Sequence, residues 1–188
     1  MQPVLLGILS SSITKSKLVT GSYESIATAT GTGASGTITF SSIPSTYSHL
    51  QIRAFAHSTR TVGTDAGITM TVNSDSGSNY SRHILYGNGS TVTASAASST
   101  TTYYNYDITA DNGNSSTYTA FIIDFLDYAD GNKYKTLRLL HGFDKNGSGQ
   151  IALVSGNWRS TSAISSISFI TDNYFTTATS FALYGVKA

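Results

Sequence analysis

The chain contains no cysteine. Disulfides and thiolate metal sites are therefore excluded, and the fold is indifferent to redox state. Proline is nearly absent as well: Pro3 and Pro44 are the only two, and neither interrupts a strand pattern. Charge is sparse, with 11% Asp, Glu, Lys and Arg where about 25% is usual. The net charge is +1, and Lys and Arg are nowhere clustered. That composition lacks the electrostatic footprint of a nucleic-acid-binding surface. Val4 to Leu9 is an apolar run far short of the roughly 20 residues a membrane span needs. Lys15 and Lys17 follow this run, whereas a signal peptide carries its positive charge first. No window of a dozen residues sustains a capped helical period, so any helix is expected to be short. Neither nucleic acid nor membrane is expected as a partner.

What the chain does have is Ser, Thr, Gly, Asn and aromatic residues, with 8 Phe and 12 Tyr among 188 residues. The aromatics argue for a packed core, and the small polar residues for many turns on a wet β surface. A length of 188 residues suits one domain. The expected division is an N-terminal arm over residues 1–20 and a single β domain over residues 21–188. Short strands are expected over 26–30, 34–43, 47–58, 67–72, 80–86, 103–108, 150–158, 163–171 and 180–187. Ser90 to Thr102 reads as a long exposed loop of Ser, Thr and Ala.

The pattern is organised around Thr117 to Gly142, which reads as two long strands joined at Ala129-Asp130-Gly131-Asn132, with Asp-Gly as a hairpin signal. Phe121, Ile123 and Phe125 lie on one face of the first strand; Ala120, Ile122 and Leu126 lie on the other. A strand apolar on both faces is expected to be covered on both, by a second sheet and by a neighbouring subunit. The whole reads as an all-β, antiparallel, jelly-roll-like β-sandwich with an extended N-terminal arm.

Candidate chemistry is thin. Asp124, Asp127 and Asp130 are spaced three apart, but paired-carboxylate catalysis needs two groups about 5 to 9 Å apart with one pKa raised. Asp130 is better read as serving the turn, and Asp124 and Asp127 as pairing with Lys133, Lys135 or Arg138 across the hairpin. Asp144 to Gln150, DKNGSGQ, resembles half of a calcium loop, yet Ser155 stands where the closing Glu belongs, and a β-turn is the better reading. Asn73, Asp75 and Asn79 invite the same comparison with less support. His49, His57, His83 and His141 lack zinc-motif spacing, although His57 and His83 could meet across strands. No G-x-S-x-G elbow or phosphate-cradling loop is present. No catalytic residue, metal or cofactor is expected. Tyr103, Tyr104 and Tyr106, with Tyr118 nearby, form an aromatic group suited to stacking on a glycan or to a subunit contact. Val4, Leu5, Leu6, Ile8 and Leu9 on the arm are expected to dock on a partner, because exposed they would be sticky.

From Tyr23 onward the chain resembles small β-sandwich virion proteins of tailed bacteriophages. The resemblance is carried by YESIATATGTGASGTITFSSIPSTYSHLQIR at Tyr23 to Arg53 and NYSRHILYGNG at Asn79 to Gly89. It continues in FIIDFLDYADGNKYKT at Phe121 to Thr136, SGNWRSTSAISSISFI at Ser155 to Ile170 and SFALYGVK at Ser180 to Lys187. Such proteins serve as capsid cement (decoration) proteins or as tail fibre and receptor-binding parts, and both kinds commonly form trimers. The resemblance implies a non-enzymatic virion structural protein, first a cement protein that binds and stabilises the major capsid protein shell. The alternative it implies is a tail fibre or receptor-binding component recognising host surface polysaccharide. The implied partners are further copies of itself as a homotrimer and the phage major capsid protein or other virion proteins. The implied location is the virion, on the capsid surface before the tail. No site residue is carried over from it.

Overall fold

A computed structural model describes residues 22–187, except 64, 104–105 and 112–115. The expected arm, with Val4, Leu5, Leu6, Ile8 and Leu9, lies outside the described residues. The fold is all-β and sandwich-like, with twelve strands among the described residues. In chain order these are β1 (Tyr23–Thr30), β2 (Thr37–Phe40), β3 (His49–Ser58), β4 (Asp65–Val72), β5 (Tyr80–Gly87) and β6 (Val92–Thr100). They continue as β7 (Tyr106–Ala110), β8 (Thr119–Leu126), β9 (Lys135–Asp144), β10 (Gly149–Trp158), β11 (Ile167–Thr171) and β12 (Ser180–Val186).

The larger layer runs β1-β12-β3-β8-β9-β10-β5-β6, antiparallel throughout. The smaller runs β2-β11-β4-β7, also antiparallel. β3 joins the two. Most of it pairs with β12 and β8, but its last two residues pair in parallel with β7, His57 with Thr109 and Ser58 with Ala110. A strand that changes layers in this way makes the corner of a sandwich, and its end is covered on both sides: Ala56, His57 and Ser58 are all buried.

The core lies between the layers. Leu50, Ile52 and Ala54 of β3, Phe121, Ile123 and Phe125 of β8, and Leu137 and Leu139 of β9 point into it. Ile68, Met70 and Val72 of β4 and Ile167 and Phe169 of β11 face them from the smaller layer. Inward and outward residues alternate along each strand; the outward set is mostly polar on β3 and β4 but largely apolar on β8. The expectation that β8 is covered on both faces is not met within one chain: Ala120, Ile122 and Leu126 are exposed.

Two local expectations need correction. The β8–β9 connection is not a tight turn at Asp130-Gly131, because residues 127–134 all lie between the strands. The longer loop returns Tyr128 to the core, where it is fully buried and its hydroxyl donates to Pro44 O. Ser90 to Thr102 is not a loop but contains β6, an edge strand on β5. Small side chains there give no hydrophobic contrast to read, while the backbone of β5 supplies the pairing.

Candidate functional site

Two features of the surface stand out, an apolar outer face and a polar cleft. The outer face belongs to the larger layer. Register places Ile122 opposite Leu140, Leu140 opposite Leu153, Leu153 opposite Leu85, and Leu85 opposite Ala94. These form one row across five strands, and the four large side chains are 43, 45, 53 and 50% exposed. A second row lies two residues along: Phe55, Ala120, Gly142, Ile151, Gly87 and Val92, each opposite the next. Phe55, Ile151 and Val92 are exposed in it. At about 4.8 Å between strands and about 6.6 Å between rows, the two rows cover on the order of 300 Å². That is the size of the largest apolar patch on an ordinary monomer, and such patches are often functional. A groove of about 690 Å³ runs over Leu85, Leu153, Ala94 and Ala96, between His83 and Arg138.

A polar row borders the patch. Gln51, Asp124, Arg138, Ser155 and His83 are consecutive partners across the sheet. Gln51 Nε2 donates to Asp124 Oδ1 at 2.7 Å, and Arg53 Nε donates to Gln51 Oε1 at 2.8 Å. The Arg53 guanidinium also lies over the rings of Tyr23 and Tyr184, 5.5 and 5.7 Å from their centroids. An apolar centre with a hydrogen-bonded rim is the anatomy of a protein interface.

The cleft opens at one end of the sandwich. Its floor is a register row on the inner face of the larger layer: Tyr86 opposite Ala152, and Ala152 opposite His141. Phe143 and Gln150, paired one row further out, line one side; Asp65 of β4 and Asp107 of β7 line the other. The volume is about 410 Å³, within the usual size of small-ligand sites. Lys145 Nζ meets Asp65 Oδ1 at 2.5 Å and lies over the Phe143 ring, 5.1 Å from its centroid. Burial first, and then the Asp65 charge, raise the Asp107 carboxyl above the usual carboxylate range, against a hydrogen bond from the Gln150 side chain. Burial holds the His141 imidazole neutral, its pKa lowered to about 4, stacked against the Phe121 ring.

The expected site residues fare unevenly. Tyr103 does not offer its ring to a glycan or to a subunit. It is buried, packs edge-on against Tyr80, and donates its hydroxyl to Lys135 O at 3.2 Å. Tyr104 and the side chain of Tyr106 lie outside the description. Tyr118 tilts against His57. His57 and His83 do not meet: His57 is buried at the β3 corner with Nδ1 on Thr109 and Thr117, and His83 stands on the outer face of β5.

The hairpin carboxylates pair only in part as the charge pattern implies. Asp127 bonds Lys133 at 2.6 Å, and Asp130 accepts from Asn132 N in the turn at 2.8 Å and also meets Lys133 at 3.3 Å. Asp124 stands opposite Arg138 in register but accepts from Gln51 instead. Asp144 accepts from Gly147 N at 2.9 Å in a turn where Asn146 and Gly147 both take positive φ. Asp75 orders its own loop, accepting from Gly77 N, Asn79 Nδ2 and Trp158 Nε1. Among the described residues no group of three or more His, Asp or Glu could hold a metal ion.

Sequence reading missed the cleft. Asp65 and Asp107 are far apart in the chain, and only the β4–β7 pairing brings them together. A signal did exist for His141, which continues the inward series Leu137 and Leu139 and therefore had to lie on a buried face. Compared with known proteins, the chain matches no family model, no curated protein and no solved structure.

Proposed function

We propose that this is a non-enzymatic phage virion structural protein, a capsid cement protein that binds the major capsid protein shell and stabilises it. The observation that carries the reading is the outer face. Two rows of mainly apolar residues across the larger layer, the second with Gly142 and Gly87 between its large side chains, have no partner within the described chain, and the largest apolar patch on a monomer is often functional. The resemblance from Tyr23 onward supplies the setting. The apolar segment Val4 to Leu9 supplies a second contact area, and linking two contact areas raises affinity beyond either alone. Self-association into a homotrimer would cover part of the face and leave the rest, with the arm, for the shell.

Electron microscopy of virions labelled with an antibody against this chain tests the placement. Label over the capsid surface is expected. Label confined to the tail overturns the cement role in favour of a tail component recognising host surface polysaccharide, and no label on virions overturns both.

A further inference from the structure

The polar cleft has a chemistry of its own, independent of where the protein is placed. Four classes of occupant can be weighed. An anion would meet the two carboxylates of Asp65 and Asp107 against a single ammonium, Lys145, which is already held by Asp65 at 2.5 Å. A cation would have to displace or abut that same ammonium in a partly desolvated space, where like charges repel strongly. A wholly apolar ligand would strip water from Asp107 and Gln150 and return no hydrogen bond, which is costly. A neutral ligand bearing several hydroxyls suffers none of these penalties. Its O–H groups donate to Asp107 and accept from Gln150, and its C–H face rests on Tyr86, Phe143 and Ala152. A cleft of about 410 Å³ has room for such a ring.

We propose that the cleft between β5, β9 and β10 and the Asp65–Asp107 wall is a binding site for a neutral polyhydroxylated ligand the size of a sugar ring. The raised affinity of Asp107 for a proton agrees with this, since a partly desolvated carboxyl gains from ligand hydroxyls. Asp107 and Gln150 orient the ring edge, and Lys145 keeps Asp65 from repelling Asp107 without restraint. Affinity in the millimolar range is expected, as for a small polar ligand with few contacts.

The test is saturation-transfer difference NMR on the full chain. The probes are glucose, galactose, mannose, rhamnose and N-acetylglucosamine at millimolar concentration, with inorganic phosphate and choline as charged comparisons. At least one sugar should receive saturation and compete with the others. Asp107→Ala should weaken that sugar about tenfold to a hundredfold, the size of a lost hydrogen bond to a charged group. Ser95 is exposed on the cleft lining, so Ser95→Trp should block the site without disturbing the core and serves should Asp107→Ala not fold. Silence from every sugar, binding that both variants leave unchanged, or binding of phosphate or choline alone would each overturn the proposal.

Discussion

At the scale of single residues, three polar groups, Lys135 and His141 buried and Asp75 partly so, show how polar side chains organise the fold. Lys135 is fully buried, and its ammonium donates to the carbonyls of Asp130, Lys133 and Thr161. It ties the β8–β9 connection to the loop after β10, and burial lowers its pKa. Asp75 does similar work for the β4–β5 loop. Its carboxylate accepts from the indole N–H of Trp158 at 2.6 Å, and that hydrogen bond first, then the one from Asn79, lowers its pKa. Replacing Asp75 by Ala leaves the indole N–H of a buried Trp158 without its acceptor. A loss of about 1–3 kcal/mol is expected, read as a lower denaturation midpoint with an unchanged slope. Because the chain has one tryptophan, its fluorescence reports the same change directly. His141 gives a pH dependence. Its imidazole titrates near 4 in the fold and near 6.5 unfolded, so the unfolded chain binds the extra proton between those values. Stability is then fully present above about pH 6.5 and lost as pH falls toward 4, by at most about 3 kcal/mol. His141→Phe should flatten that part of the melting-temperature profile relative to wild type; parallel profiles from pH 7 to 4 would refute it.

At the scale of elements, legibility followed contrast. β3 and β9 alternate, and their inward residues, Leu50 and Ile52, Leu137 and Leu139, could be assigned from period alone; β8 is apolar on both faces, so period separated its two faces without saying that Phe121 and Ile123 are the inward ones. β6 could not be assigned. Its Ser, Thr and Ala side chains carry no pattern, and only its register on β5, with Leu85 opposite Ala94, makes it a strand. The outer face was half legible: the apolar second face of β8 was visible, but its continuation through Leu140, Leu153 and Leu85 needs the strand order, which no local pattern contains. The cleft was illegible for the same reason. Elements also meet at close tolerances. Gly185 of β12 sits over the Tyr47 ring, where an added Cβ would lie 2.3 Å from a ring carbon. The ring is pinned there by its hydroxyl, which donates to Glu24 of β1 at 3.1 Å. Gly185→Ala should therefore cost about 1–3 kcal/mol. Adding Tyr47→Ala should recover part of that cost, because the two positions share one space. Strict additivity in a double-mutant cycle would show that the clash is relieved elsewhere.

At the scale of the whole molecule, the open question for the physics is what covers the outer face. The described residues already contain a continuous core between the two layers, so the face is not needed to fold one chain. Removing residues 1–17 should accordingly leave the melting temperature nearly unchanged, and a large fall would make those residues part of the core. The face itself is different. Leu140 and Leu153 are neighbours at its centre, about half exposed and opposite one another in register. Changing both to Glu places two like charges about 5 Å apart on the outer surface. Within one chain the cost is small, since both carboxylates stay in water and surface changes usually fall within about 0.5 kcal/mol. Within an interface the cost is large, because two unpaired charges lose their water. Leu140→Glu with Leu153→Glu should therefore still fold cooperatively, melting below wild type only by what trimer association adds, yet behave as a monomer in native mass spectrometry at micromolar concentration. The wild-type chain should form a homotrimer under the same conditions. A stable wild-type monomer, with no capsid present, would remove self-association as the cover. The double variant should also fail to join virions; if it decorates them as well as wild type, the outer face is not the docking surface and the cement reading loses the observation that carries it.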